Sequence, residues 1–371
     1  MLSRAKAATA VVLGLAAAVL VSLRPIAAGP VVLLEADSGR VLYAEDQDHQ
    51  WYPASLTKIM TAYLTFDALK AGRLKLDDTV TVTEKAHAQA PSKLGLPVGS
   101  EITVDLAIRA LVVKSANDVA IMLAEKIGDS EEDFVRLMND TARRLGMTRT
   151  RFANANGLPI PGQVTTARDL ARLSRAVLHD FPDQNALWAL PEVRIGKMRL
   201  KSHNSLLRSF EGADGIKTGF ICDSGYNVIA SATRDNRRLI AVVLGEPSGR
   251  DRNLRAAGLL DHGFETADWK AQFGAPTLDD LPLDPMAKEV ASVRSTVVAW
   301  DCGGHKRGRK VVRRKAPGTA HKTARGAKTP ASEKSARAVP DAAPAPRSAP
   351  RAPRSAAAPG PVQRRPSQSK E

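Results

Sequence analysis

Three short residue groups in this 371-residue chain could act together on a carbonyl: Ser55-Leu56-Thr57-Lys58, Ser115-Ala116-Asn117 and Lys217-Thr218-Gly219. A serine hydroxyl is a weak nucleophile until a base removes its proton, and a lysine is that base only when neutral. Residues three apart on a helix share a face, so the Lys58 amine can approach the Ser55 hydroxyl. Burial and a second cation both lower a lysine pKa, and Lys217 is the obvious second cation. Ser55, in a first helical turn, also offers backbone N–H groups to a developing oxyanion, and the partner donor is expected from the strand that carries Lys217. Singly, Ser-x-x-Lys and Ser-x-Asn each arise by chance about once in a chain this long and read as helix caps or solvated faces; Lys-Thr-Gly is rarer. The weight rests on the conjunction.

These groups need elements to hold them. Val31–Glu35 and residues 40–44 are apolar runs joined by Asp37-Ser38-Gly39, a turn signal, so the region opens with a hairpin. Pro53 then leads into residues 54–70, where Leu56, Ile59, Met60, Tyr63 and Leu64 recur at helical spacing, which predicts a buried helix. Residues 103–178 read as largely helical, with Ser130/Asp133 and Thr166/Asp169 spaced as capping boxes. Within that stretch 152–161 is a loop built on Asn154, Asn156 and Gly157. Short strands follow at 215–221, 226–233 and 238–244, the last two joined by a polar turn at 234–237, and 253–264 reads as a closing helix. The order β, α-rich insert, β, α implies a mixed sheet packed on helices, a helical subdomain, and a cleft between them.

Composition narrows the function. Hydrophobic residues make up 43%, enough for a substantial core. The net charge of +15 resembles that of a nucleic-acid binder until it is located. Residues 303–371 hold 18 Lys and Arg against 3 Asp and Glu, which accounts for the whole excess. That Ala/Pro/Arg/Lys-rich stretch cannot bury enough apolar area to offset its ordering entropy and is expected to be a disordered tail. Lacking interleaved aromatics, it is not expected to bind nucleic acid. Two cysteines exclude a four-thiolate zinc site, and no HExxH is present, so no metal and no cofactor are expected. Arg4 and Lys6, an uncharged Ala/Val/Leu-rich run over 7–23 and the small residues Ala27 and Ala28 read as an export signal over 1–28; an uncleaved anchor is the alternative. Cys222 reads first as a small buried hydrophobe, with a bridge to Cys302 as the alternative that export permits.

The residue groups resemble those of the penicillin-recognising serine D-alanyl-D-alanine carboxypeptidases, the low-molecular-weight penicillin-binding proteins of peptidase family S11. The resemblance runs roughly over 30–265 and includes Pro53-Ala54-Ser55-Leu56-Thr57-Lys58, Asn156-Gly157-Leu158, Thr166-Ala167-Arg168-Asp169-Leu170, His203-Asn204-Ser205-Leu206-Leu207 and Leu259-Leu260 before Gly263-Phe264. It implies an α/β (α+β) fold, β-lactamase/transpeptidase-like, with an antiparallel sheet flanked by helices and a helical subdomain. It also implies Ser55 as acylated nucleophile, Lys58 as its base and Ser115 as proton relay. Asn117 would hold the substrate amide; Lys217 and Thr218 on the Lys-Thr-Gly219 strand would bind the terminal carboxylate. The N–H groups of Ser55 and Phe220 would form the oxyanion hole, and Arg252 would lie near the carboxylate.

The expected activity is removal of the terminal D-Ala from peptidoglycan stem peptides through an acyl-enzyme, with covalent inhibition by β-lactams. Alternatives on the same scaffold are a DD-endopeptidase and a β-lactamase, the latter needing a positioned carboxylate that no segment clearly supplies. A different class of reading is a non-catalytic envelope-binding protein that uses the tail on anionic polymer or membrane surface. The expected location is the periplasm or the outer face of the cytoplasmic membrane. The expected organisation is 1–28 signal, 29–268 catalytic domain, 269–302 short extension and 303–371 tail.

Overall fold

The computed structural model describes residues 29–299 and Cys302. The signal-like segment 1–28 and the basic stretch 303–371 lie outside the described residues. Strands β1 (Val31–Glu35) and β2 (Val41–Glu45) form the opening hairpin, with Gly39 at φ +71° in its turn. They join β7 (Ala213–Ile221), β8 (Gly225–Arg234) and β9 (Arg237–Glu246) in one sheet of order β2-β1-β9-β8-β7. Every pairing in this sheet is antiparallel, so the mixed sheet expected from element order alone is corrected. Chain order constrains which strands exist, not which way the first hairpin meets the last strand.

Strand β1 is buried along its whole length because the sheet is covered on both faces. Side chains alternate: Val32, Leu34, Ile240 and Val242 pack into one core, Val31, Leu33, Leu239 and Ala241 into the other. That second core is closed by a long C-terminal helix, Gly249–Gln272, through Ala256, Leu260 and Ala267. At Gly263 an added Cβ would fall 2.7 Å from Leu239 Cδ1, so the helix lies directly on the sheet.

Across the other face runs α1 (Lys58–Lys70), buried at ten positions. Its buried hydroxyls are paired: Thr61 Oγ1 donates to Ala155 O (2.6 Å) and Thr65 Oγ1 to Thr61 O (2.8 Å). Around it pack α2 (Val104–Val113), α3 (Asn117–Gly128), α4 (Glu131–Arg144) and α5 (Ala167–Asp180), and the Gly249–Gln272 helix is α6. Ser130 and Thr166 cap α4 and α5 by accepting the N–H of Asp133 and Asp169. Asp133 also accepts the Ser130 hydroxyl, whereas buried Asp169 accepts from Arg149 N and Thr150 Oγ1. Two small hairpins, β3 (Thr79–Thr81) with β4 (Glu101–Thr103) and β5 (Glu192–Ile195) with β6 (Met198–Lys201), and the single helical turns Glu84–His87, Asn185–Trp188 and Leu206–Ser209 lie between these elements. Among the described residues no helix is long and apolar enough to cross a membrane.

Helix α6 runs to Gln272, past the 268/269 boundary, and the residues after it fold back over the domain. Leu278 N donates to Gly39 O and Val41 N to Pro276 O, covering the start of the β2 edge. Arg168, buried in an ion pair with Asp48 (2.7 Å), also donates to Leu281 O and Pro282 O, while Asp284 N reaches Asp48 Oδ2. The segment ends at a disulfide: Cys222 is half-buried and bonded to Cys302, closing an 80-residue loop. The first reading of Cys222, as a small buried hydrophobe, is corrected.

Candidate active site

Ser55 lies in a 3-10 turn, Ala54–Thr57, that runs into α1 at Lys58. A 3-10 turn eclipses residues i and i+3, so the hydroxyl and the amine stand over one another more directly than on an α-helix. Lys58 Nζ lies 3.0 Å from Ser55 Oγ, 2.7 Å from Asn117 Oδ1 and 2.5 Å from Asn156 O. A neutral amine has two N–H bonds and one lone pair. Asn117 and Asn156 take the two N–H groups, and the lone pair then faces the hydroxyl whose proton it must accept.

The loop carrying Asn156 reaches the turn only because Gly157 follows it. Gly157 has φ +84°, and a Cβ there would fall 1.8 Å from Ala54 O. No side chain fits. Ser115 ends α2 at φ +60°, a left-handed conformation that costs a non-glycine residue free energy and is held here by a bond: Lys217 Nζ donates to Ser115 Oγ (2.8 Å).

Lys217, Thr218 and Gly219 lie on β7, the sheet edge nearest the 3-10 turn. Along an antiparallel strand, N–H and C=O of successive residues point to opposite sides. Ile221 N and O are both engaged with Ser224 in the hairpin turn, so the Phe220 N–H and the Thr218 C=O face the open edge; Lys217 Nζ donates to that Thr218 O (3.1 Å). A Cβ on Gly219 would sit 3.2 Å from Ser55 N, which places the Ser55 and Phe220 amides around one position.

A cavity of about 410 Å³ opens here, and its walls include Ser55, Ser115, Asn117, Thr218, Gly219, Phe220 and Arg252. Lys58 and Lys217, 1% and 3% exposed, stand behind this wall rather than on it. The structure thus brings together every site residue expected from the sequence. Asn117 is more committed than expected: beyond its bond from Lys58, its Nδ2 donates to Ala90 O (2.8 Å). Sequence reasoning missed the Asn156 carbonyl, His203 and Tyr226. The first two belong to segments whose sequence was recognised as family-like without a role; Tyr226, stacked on Phe220 with centroids 4.2 Å apart, had no sequence signal.

The electrostatics are one-sided. Burial and then the Lys217 charge hold the Lys58 amine well below its usual pKa, against an opposing pull from Asp118. Lys217 is lowered to about 7 by burial and then by Arg252, and Arg252 to about 10 by burial. His203 is lowered by burial, with Lys217 and Lys114 adding to it. No Asp or Glu stands among the described residues lining the cavity. A cluster of cations behind a wall that carries no acid is a site for an anionic ligand. Among the described residues the one His/Asp group spaced for a metal, Asp46, His49 and Asp284, lies outside this cavity wall and joins the C-terminal segment to the loop after β2.

The family described as D-alanyl-D-alanine carboxypeptidase, peptidase S11, matches residues 17–248. D-alanyl-D-alanine carboxypeptidase DacC of Escherichia coli is 41% identical over 240 residues, 63% of this chain and 60% of that protein. Penicillin-binding protein 5 of Haemophilus influenzae superposes with a TM-score of 0.63 at 35% identity, covering 66% of this chain and 72% of that one. Penicillin-binding protein D2 of Listeria monocytogenes, solved in its cefotaxime-bound form, superposes at 0.59 with 31% identity, over 64% of this chain and 97% of that one. The chain spans about 60% of the length of curated relatives such as DacC.

Proposed function

From the premise that the chain belongs to the D-alanyl-D-alanine carboxypeptidase family S11, we propose that it is an exported serine DD-carboxypeptidase that removes the terminal D-Ala of peptidoglycan stem peptides. The observation that carries the reading is the buried Lys58 amine, 3.0 Å from Ser55 Oγ with its other hydrogens spoken for. Ser55 Oγ attacks the carbonyl carbon of the penultimate D-Ala as its proton passes to Lys58 Nζ. The oxyanion forms between the Ser55 and Phe220 N–H groups. Collapse breaks the peptide bond, and the leaving amine takes a proton relayed through Ser115 Oγ. Water then hydrolyses the ester and frees Ser55.

The terminal carboxylate lies toward Thr218 and Arg252, with the Lys217 charge behind them, and the second Asn117 Nδ2 hydrogen remains for the substrate amide. A β-lactam carries a carboxylate and a strained amide and enters the same path. The acid-free lining favours this reading over a β-lactamase, which needs a carboxylate to activate the deacylating water. In this reading residues 1–28 direct export, 29–302 form the catalytic body, and 303–371 contact anionic envelope polymer or membrane. Intact mass after incubation with a penicillin gives a one-adduct increase in the wild type and none in Ser55→Ala; an unmodified wild type refutes the assignment. Release of D-Ala from a D-Ala-D-Ala pentapeptide, compared with cleavage of a cross-linked muropeptide, separates carboxypeptidase from endopeptidase. A chain lacking 303–371 that still co-sediments with envelopes in the same salt-dependent way removes the role given to the tail.

A further inference from the structure

Both walls of the anion-binding end of the groove are tied to one stretch of chain far along the sequence. The first wall is the β7–β8 hairpin, which presents Phe220, Ile221 and Tyr226 to the cavity and turns at 222–224. The second is the start of α6, which presents Gly249 and Arg252. Residues 292–299 and Cys302 bond to both. Asp223 accepts from Ser292 Oγ (2.5 Å) and from Arg294 Nη2 (2.8 Å) and Nε (3.3 Å), and its backbone O accepts from Val293 N (3.0 Å). Val298 N then donates to Pro247 O (2.9 Å), just before the Ser248 cap of α6. Finally Cys302 is joined covalently to Cys222, two residues beyond the oxyanion donor Phe220.

We infer that residues 292–299 together with Cys302 are a staple that fixes the spacing between the oxyanion strand and the arginine wall, with Asp223, Arg294 and the Cys222–Cys302 pair as positioning residues for acyl transfer. The inference rests on the acyl-enzyme reading above. The Asp223–Arg294 pair is partly exposed, and solvent screens such pairs so that they hold little by themselves. The covalent bond is therefore the decisive member, because it keeps the weak contacts at high effective concentration. It forms when the two thiols give up two protons and two electrons to a disulfide-bearing oxidant, which leaves as a dithiol. The enzyme thus reaches full activity only after oxidative closure, a condition met outside the cytoplasm.

The test compares oxidised wild type, wild type reduced with dithiothreitol and alkylated, the double variant Cys222→Ser/Cys302→Ser, and Asp223→Asn with the disulfide intact. Amide hydrogen exchange should rise over 217–226 and 247–252 in the reduced and double-variant proteins and stay unchanged over Lys58–Lys70. The second-order rate of penicillin acylation should fall about 10- to 100-fold, the scale of a misplacement near 1 Å. For a D-Ala-D-Ala peptide, KM should rise and kcat fall together. Asp223→Asn should show the same pattern at smaller amplitude. Unchanged exchange at both walls overturns the inference, as does a lower melting temperature with acylation intact at 25 °C. If exchange rises as expected while the wild type takes no penicillin, the staple stands and the enzymatic reading fails.

Discussion

Replacing Lys217 with methionine should abolish carboxylate recognition and yet make the folded protein more stable at neutral pH. The lysine is 3% exposed, and its pKa is lowered from 10.5 to about 7, by burial first and by Arg252 second. A base whose folded pKa is depressed binds fewer protons when folded than when unfolded, so it destabilises the fold below its folded pKa, and the penalty fades as pH climbs toward 10.5. Linkage gives a penalty of about 4 kcal/mol at pH 7 and about 2 kcal/mol at pH 9. Methionine removes it but strands Ser115 Oγ and Thr218 O, a cost of roughly 1–2 kcal/mol that does not vary over this range. The net gain is therefore about 2–3 kcal/mol at pH 7 and about 0–1 kcal/mol at pH 9. Relief of Lys58, which Lys217 also disfavours, adds in the same direction. Urea unfolding of both proteins at pH 5, 7 and 9 measures this. The difference should be nearly flat from pH 5 to 7 and shrink by about 2 kcal/mol from 7 to 9; a pH-independent difference would refute the buried-cation argument.

Further outcomes follow from the same geometry. The kcat/KM profile for a D-Ala-D-Ala peptide should be bell-shaped, rising as Lys58 loses its proton and falling above about pH 7 as Lys217 loses the charge that holds the carboxylate. Bound carboxylate favours the charged lysine, so the alkaline limb of kcat should lie at higher pH than that of kcat/KM; coincident limbs would contradict the assignment. Gly157→Ala should destabilise the fold by about 3 kcal/mol or more and lose penicillin labelling, because the new Cβ overlaps Ala54 O; a normal melting temperature would show that the loop crosses elsewhere. Arg168→Met should cost about 3–5 kcal/mol in urea by leaving Asp48 buried without its partner. Burial alone would raise the Asp48 pKa, but the Arg168 bonds and the Asp284 N–H outweigh it, so the carboxyl lies below its usual value. That contribution is present at neutral pH and lost as pH falls through the folded value, so the variant's deficit should narrow in acid.

Legibility from sequence tracked the range of the interactions. The opening hairpin, α1, the β7–β9 meander and the Ser130 and Thr166 caps follow from periodicity and turn chemistry within a dozen residues, and these elements appear where expected. The Ser55 and Ser115 groups were legible because they flank helix ends, and the Lys217 group because it lies on the first strand of the meander. The 3-10 turn at Ser55 was not, since its pitch is set by the Gly157 loop pressed against Ala54 O rather than by local propensity. Nor was the fold-back after Gln272, a stretch without regular period whose shape comes from bonds to Gly39, Asp48, Arg168 and Asp223. The Cys222–Cys302 bond belongs to the same class: pairing depends on a distance that two cysteines alone do not encode. The β5–β6 hairpin went unread because four-residue strands give too little alternation to recognise.

The sheet has two rims, and they are treated differently. At the β2 rim the chain's own return passage lies alongside, with Val41 N and Leu278 N already satisfied. The β7 rim keeps outward amide groups beside a nest of positive charge. The first rim is covered where β2 begins, and the second repels a strand that brings arginines or lysines to it. In the proposed reading a short extended strand ending in a negative group docks there, so the unmated rim that in other proteins invites fibrils would serve as a berth screened by charge.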